Sequence, residues 1–231
     1  MANPYHIGLI GGIGPAATIA YYKGLTSEMR ARQAPLELTI VNADVDTLVR
    51  NTLADNREAQ AGVYLGLLDR LKAAGADCAA ITSLGGHFCF DETARASPLP
   101  LVSAVAPLDA YFQNEGLKTV GLLGTEVVMR TRFYNLLKLT RSVAPLDNMQ
   151  QIGDTYREMA IRGFCFETER ALFLEEGRRM IEDQGADAVI LAGTDLGLAF
   201  EGQNVGYRVV DALDVHVALL ADLASGAGTL N

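Results

Sequence analysis

The stretch Gly75-Ala76-Asp77-Cys78-Ala79-Ala80-Ile81-Thr82-Ser83-Leu84-Gly85-Gly86 has a partner further along the chain, Gly185-Ala186-Asp187-Ala188-Val189-Ile190-Leu191-Ala192-Gly193-Thr194-Asp195. Each copy follows an amphipathic stretch, turns on Gly-Ala-Asp and enters a short apolar run. A continuous apolar run bounded by turn residues reads as a strand buried on both faces, as in a parallel sheet. A second echo joins Gly8-Leu9-Ile10-Gly11-Gly12 to Gly121-Leu122-Leu123-Gly124-Thr125. The two offsets are 110 and 113 residues, so the copies come in the same order at nearly the same spacing. The expectation is a chain of two similar α/β halves.

Working outward, strand-like runs fall at Ile7–Gly11, Leu38–Val41, Cys78–Thr82, Leu101–Ala104, Val120–Leu123, Ala188–Leu191 and Arg208–Val210. Helical patterns lie between and after them: residues 16–32, 57–74, 86–96, 107–115, 128–139, 149–162, 168–184 and 212–223. Strands alternating with helices give α/β layers with mostly parallel sheets. The predicted domains are 1–101 plus 209–231, and 102–208. Open α/β sheets place ligands beyond the carboxyl ends of their strands. Ser83 and Gly193 stand at equivalent strand ends, eight residues after Gly75 and Gly185. Two facing halves would form a cleft suited to a small molecule.

Composition narrows the function. Of 231 residues, 49% are hydrophobic and 20% charged, enough to bury a core. The formal charge of −9 and the lack of Trp argue against nucleic-acid partners, which need basic surfaces and stacking rings. No apolar run reaches the length of a membrane span. The N-terminus lacks the basic region of a signal peptide, so a cytoplasmic protein is expected. Three widely spaced cysteines, Cys78, Cys89 and Cys165, read as reduced thiols. His87 and Cys89 alone do not make a zinc site, and no metal or cofactor is expected.

Three glycine-rich turns carry the chemistry. Gly11-Gly12-Ile13-Gly14-Pro15 joins the first strand to a helix, with Pro15 suited to the first turn. Amides there favour a carboxylate or phosphate. Gly12-x-Gly14-x-x-Ala17 also matches a loose dinucleotide pattern, but the acidic residue expected about 20 residues on is not clearly placed. Asp44 comes 27 residues after Ala17, and a tight turn without a ligand is the plain alternative. In Thr82-Ser83-Leu84-Gly85-Gly86-His87, hydroxyls and amides either converge on a carboxylate or cap the next helix. His87 in the first helical turn should be neutral through the helix dipole. In Gly193-Thr194-Asp195, the last two residues cap a turn or face the ligand. His216 on an apolar helix reads as a core residue, Cys89 as a small buried hydrophobe, and Tyr21 and Tyr22 as packing.

This ordered set of motifs resembles the aspartate/glutamate racemase family across essentially the whole chain. Gly8–Thr18 resembles its opening motif, Gly75–His87 its first catalytic segment, Val120–Tyr134 the start of its second domain and Gly185–Asp195 its second catalytic segment. His216 matches a common position near the C-terminus. The resemblance implies two α/β domains related by a pseudo-two-fold, cofactor-independent isomerase chemistry, a small carboxylate or amino-acid ligand and a homodimer. It implies catalytic positions at Ser83, Gly193, Asp195 and His87. It implies substrate contacts at Gly12, Ile13, Gly14, Leu84, Gly85, Thr125, Gln151 and Thr194, with Gln151 where many members have lysine.

The departures are chemical. The family's first cysteine is Ser83 here, followed by Leu84-Gly85-Gly86, and its second is Gly193, followed by Thr194-Asp195. Racemisation needs an acid/base on each face of the α-carbon with a pKa usable near neutrality. A thiol can be tuned to that range, whereas a serine hydroxyl needs a partner base and glycine has no side chain. Two-thiol racemisation is therefore not expected. Ser83 and Thr194 are expected to donate hydrogen bonds, with Asp195 or His87 carrying or orienting a proton. Lyase-type chemistry and ligand binding without turnover remain open. Gly193 is expected to leave open the space of a cysteine side chain, so that the site accepts extra bulk there.

Overall fold

The computed structural model describes residues 3–230. The chain divides into two compact units, Met1–Ala104 with His216–Asn231, and Val105–Val215. The first unit holds β1 (Ile7–Gly11), α1 (Pro15–Ala31), β2 (Leu38–Asn42), α2 (Val45–Leu53), α3 (Arg57–Ala73), β3 (Cys78–Ile81), α4 (Phe90–Ala96) and β4 (Leu101–Val102). A 3-10 turn at Gly85–Cys89 precedes α4. The second unit holds α5 (Leu108–Asn114), β5 (Thr119–Gly124), α6 (Glu126–Arg130), α7 (Arg132–Asn135), β6 (Arg141–Val143), α8 (Met149–Arg162), α9 (Glu167–Glu182), β7 (Ala188–Ala192), α10 (Gly197–Phe200) and β8 (Val209–Asp211). Helix α11 (Ala212–Ala224) starts in the second unit and continues in the first from His216.

Each unit is built on a four-stranded sheet, ordered β2-β1-β3-β4 and β6-β5-β7-β8, and every strand pair is parallel. The two orders are the same when strands are counted from the start of each unit. The fold is α/β, as the alternating pattern predicts. The central strands β1, β3 and β7 are buried along their whole length, and β5 is buried after its first residue. The outer strands β2 and β6 are only partly covered, which is why their apolar signal is thinner.

The Gly-Ala-Asp repeat has one physical role in both units. Gly75 (φ 90°) and Gly185 (φ 70°) take the left-handed conformation after a helix, where a β-carbon is unfavourable. Ala76 and Ala186 are buried, and their amides bond back to the Leu71 and Met180 carbonyls at 3.0 Å. The aspartate then starts the next strand beside the first strand of its own unit. The Asp77 amide donates to the His6 carbonyl while its carboxylate accepts from the His6 amide at 2.7 Å. The Asp187 amide donates to the Thr119 carbonyl, and its carboxylate accepts from the Lys118 and Thr119 amides at 2.8 Å.

Two expectations change. The second unit keeps β8 and runs to Val215 rather than 208, because Val209–Asp211 pairs with β7. The helix predicted over residues 128–139 is broken. It gives way to a left-handed turn, with φ of 54°, 51°, 57° and 63° at Arg132 to Asn135. Left-handed turns cost about 1–2 kcal/mol per residue. Complete burial of Phe133 and the Tyr134 amide bonding to the Thr131 hydroxyl at 2.9 Å offset part of that cost. Among the described residues no helix is long and apolar enough to cross a membrane.

The clamp predicts that Asp77→Ala and Asp187→Ala each lower unfolding free energy by about 1–2 kcal/mol. Asparagine at either position should recover part of the loss, because its amide oxygen still accepts. Urea unfolding of the four variants checks this, and a loss at only one position contradicts a common role.

Candidate functional site

In the first unit the turns after β1 and β3 lie side by side at the carboxyl end of the sheet, in register through Ile10 and Ile81. The Thr82 amide and hydroxyl both donate to the Ile10 carbonyl at 3.0 Å, and the Thr18 hydroxyl meets the Thr82 hydroxyl at 3.0 Å. Thr82 thus ties β3 to β1 and α1. The chain is tight here. A β-carbon on Gly11 would lie 2.6 Å from Thr18 Oγ1, and one on Gly12 2.6 Å from Leu48 Cδ1. Gly14 precedes α1, whose first residue is Pro15, and Ile13 is half-buried.

Ser83 is half-buried, and its hydroxyl oxygen accepts from the Gly86 amide at 3.1 Å. That amide is therefore committed to Ser83. Leu84 and Gly85 are buried. A β-carbon on Gly86 would sit 2.5 Å from the Tyr64 hydroxyl, so glycine lets this turn close on α3.

His87 sits one residue beyond Gly86, and both of its ring nitrogens are engaged by backbone. Nδ1 is 2.8 Å from the Ser83 carbonyl, which can only accept, so Nδ1 carries the proton. Nε2 then accepts from the Ala104 amide at 3.0 Å. Burial brings the His87 pKa down to about 4, against the Ser83 carbonyl, which favours the charged ring. The ring is neutral, as expected, but burial rather than the helix dipole is the first cause. With both nitrogens engaged by backbone, His87 orients Ser83 and has no free ring nitrogen to take up a further proton.

His216 is wholly buried, and its Nδ1 meets the Tyr21 hydroxyl at 2.7 Å. Burial, with the neighbouring His87, brings its pKa to about 3. Tyr22 is exposed. Burial pushes the Cys78 thiol up to about 12 and the Cys89 thiol up to about 11. Cys165, part-exposed in the second unit, is also raised by burial first. None of the three stands at Ser83 or Gly193. Asp44 caps α2, its carboxylate accepting from the Thr47 amide at 2.9 Å and the Thr47 hydroxyl at 2.7 Å. Its carboxylate is thus engaged at the start of α2.

In the second unit the turns after β5 and β7 are in register through Gly124 and Ala192. A β-carbon on Gly124 would approach the Ala192 carbonyl oxygen to 2.6 Å. The Thr125 hydroxyl oxygen accepts from the Val128 amide at 3.3 Å and caps α6. Gly153 of α8 meets this turn, since a β-carbon there would fall 2.6 Å from the Glu126 amide nitrogen. One turn further along the same face of α8 is Tyr156.

The ring of Tyr156 lies over Gly193. A β-carbon on Gly193 would be 2.4 Å from Cζ, 2.5 Å from Cε2 and 2.8 Å from the hydroxyl of Tyr156. The open space expected at Gly193 is therefore filled, because an aromatic ring from α8 packs where a side chain at 193 would project. Thr194 and Asp195 are buried, and the Gly193 carbonyl accepts from the Leu196 amide at 3.0 Å. The Thr194 hydroxyl and the Asp195 backbone hydrogen-bond the Tyr156 phenol. Burial first, then the Asp195 and Asp211 carboxylates, hold its pKa well above the ordinary value. Gln151 is exposed. It stands two residues before Gly153 and so on another side of α8.

Asp211 ends β8 opposite Leu191 and caps α11, its Oδ1 accepting from the Leu213 amide at 2.8 Å. Burial, with the Asp214 and Asp195 carboxylates, pushes its pKa up to about 7 despite that amide. The sequence reading missed both Tyr156 and Asp211. Asp211 stood at the end of the weakest strand signal, and nothing in the sequence tied Tyr156 to Gly193. Among the described residues no group of three or more His, Cys, Asp or Glu side chains could hold a metal ion.

These groups set a pH dependence. His87 and His216 titrate below the ordinary 6.5 when folded. Their contribution to stability is full above pH 6.5 and is lost as pH falls toward 4 and 3. Asp211 has the opposite sign. Its raised value makes its contribution complete below about pH 4, and that contribution is lost as pH rises through 7. The urea midpoint is expected to peak near pH 6.5 and to fall on both sides. Asp211→Asn should flatten the alkaline limb and leave the acid limb. Midpoints measured from pH 4 to 8.5 for both proteins check this.

Comparison with known proteins places these features in a family. Residues 10–220 match the model of the family described as Asp/Glu/Hydantoin racemase. Among solved structures the chain is similar to an aspartate racemase homologue from Pyrococcus horikoshii. The two are 27% identical over 96% of this chain and 99% of that one, with a TM-score of 0.78. Aspartate racemase from Picrophilus torridus is 18% identical over 94% and 93%, with a TM-score of 0.75. Glutamate racemase from Francisella tularensis, solved with D-glutamate, is 16% identical over 99% and 83%, with a TM-score of 0.68. The last two share the fold.

Proposed function

Because this chain belongs to the Asp/Glu/hydantoin racemase family, we propose that it binds a small carboxylate or amino acid at the glycine-rich turns that end its central strands. It handles that ligand by chemistry other than two-thiol racemisation. The observation that carries this reading is the content of the two turns. Ser83 and Gly193 follow equivalent strands of two sheets with the same order, and no cysteine of the chain stands at either.

Each side chain then has a defined task. Ser83 accepts from the Gly86 amide, which leaves its own proton to donate to a carboxylate oxygen. His87 fixes the Ser83 carbonyl. A hydrogen bond to a carboxylate contributes about 1.5–3 kcal/mol. Ser83 has no neighbouring base in its own turn, since His87 is spent on the backbone, so it is a donor rather than a nucleophile. Binding without turnover is favoured over racemisation by that same fact. Isomerase or lyase chemistry would require the carboxylate of Asp195 as the acid/base.

The first ligands to try are the D and L forms of aspartate and glutamate, given the names of the similar proteins, followed by malonate and succinate. Calorimetric titration should find one that binds, and Ser83→Ala should weaken it about tenfold or more. In deuterated water, the bound amino acid is expected to gain no deuterium at Cα by NMR at neutral pH. Exchange at a rate near the ordinary enzyme median of about 10 s⁻¹ would overturn the non-thiol reading. Absence of any bound acid would overturn the ligand class.

A further inference from the structure

The position of the family's second thiol has no side chain of its own, yet the space is occupied. A β-carbon on Gly193 would fall within 2.4–2.8 Å of Cζ, Cε2 and the hydroxyl oxygen of Tyr156. Nonbonded carbons pack best at about 3.5–4.0 Å, so a side chain at 193 and this ring exclude each other. The ring reaches the site because α8 is seated closely. Gly153 lets the helix approach the Glu126 amide, and Tyr156 projects from the same face one turn later.

The phenol group is held by polar neighbours as well as by packing. The Thr194 hydroxyl and the Asp195 backbone hydrogen-bond it. A phenol oxygen has two acceptor sites and one proton. The Asp195 amide can only donate to it, and the Thr194 hydroxyl, which can donate or accept, takes the second acceptor site when a ligand draws the phenol proton. We propose that Tyr156 takes the place of the second thiol, its hydroxyl being the side-chain donor that the second unit presents beside Gly193 to a carboxylate ligand. The proposal rests on the ligand reading above and deepens it, since the turn of the second unit then offers a hydroxyl donor, as Ser83 does in the first. Burial and the nearby Asp195 and Asp211 carboxylates keep the phenol protonated at neutral pH, so it donates a hydrogen bond without abstracting a proton from carbon.

A ring that only filled the void above Gly193 would do so equally well without its oxygen, and Tyr156→Phe separates the two roles. Aspartate, glutamate, malonate and succinate are titrated calorimetrically into the native chain, Tyr156→Phe and Ser83→Ala. The expected result is a loss of affinity of about tenfold or more in Tyr156→Phe, with cooperative unfolding kept and the melting temperature lowered by several degrees for the buried donors left unpaired. Native affinity in Tyr156→Phe, with weakened binding in Ser83→Ala, overturns the donor role and leaves the ligand reading standing. No binding by the native chain overturns both.

A second measurement does not depend on the ligand. Gly193→Ala is expected to lower the melting temperature of the native chain by several degrees, and to lower that of Tyr156→Ala by less than half as much. Equal drops in both backgrounds overturn the claim that the ring occupies the space of a side chain at 193.

Discussion

Both sheets depend on one buried parallel pair, β1 with β3 in the first unit and β5 with β7 in the second. Parallel strands covered on both faces have no water to satisfy a misplaced amide, so their register must be set at the start. In each unit an aspartate sets it. Asp77 exchanges backbone and side-chain hydrogen bonds with His6, and Asp187 does so with Lys118 and Thr119. Ser83 and Gly193 lie beyond the other end of those strands, each six residues after its aspartate. A slip of one residue there would turn Ser83 or Gly193 away from its present place.

The far ends of the strands are crowded rather than open. Gly11, Gly12, Gly86, Gly124 and Gly193 all lie where a β-carbon would collide with a neighbour. Glycine in these turns therefore serves close packing first. In the first unit the crowding brings Thr18 and Thr82 together and seats Ser83 over His87. In the second it brings a tyrosine from α8 onto the strand end. The first turn carries a serine hydroxyl and the second a tyrosine phenol packed over its glycine, and no cysteine stands at either.

Charge within the second unit follows from burial. Asp211 ends a strand, caps α11 and faces two further carboxylates, and enclosure raises its pKa to about 7. His87 and His216, enclosed in the first unit, move in the opposite direction for the same reason, since burial penalises whichever form is charged. The histidines the sequence put forward as proton carriers or core residues are both neutral. The carboxyl that burial raises to about 7 belongs to an aspartate it had passed over.

The sequence by itself determined the α/β class, the two-fold repetition of Gly-Ala-Asp before a buried strand, the glycine turns that follow, and the absence of cysteine at Ser83 and Gly193. These are local signals, carried by periodicity, turn chemistry and residue identity over a dozen residues or fewer. Only the tertiary structure decided what the glycine at 193 is for. Tyr156 lies 37 residues away in the chain, and its ring reaches Gly193 only because Gly153 lets α8 close on the β5 turn. The commitment of both His87 nitrogens, the raised Asp211 carboxyl and the left-handed turn at Arg132–Asn135 are of the same kind. Each depends on which distant atoms exclude water or fill space, and no window of sequence contains them.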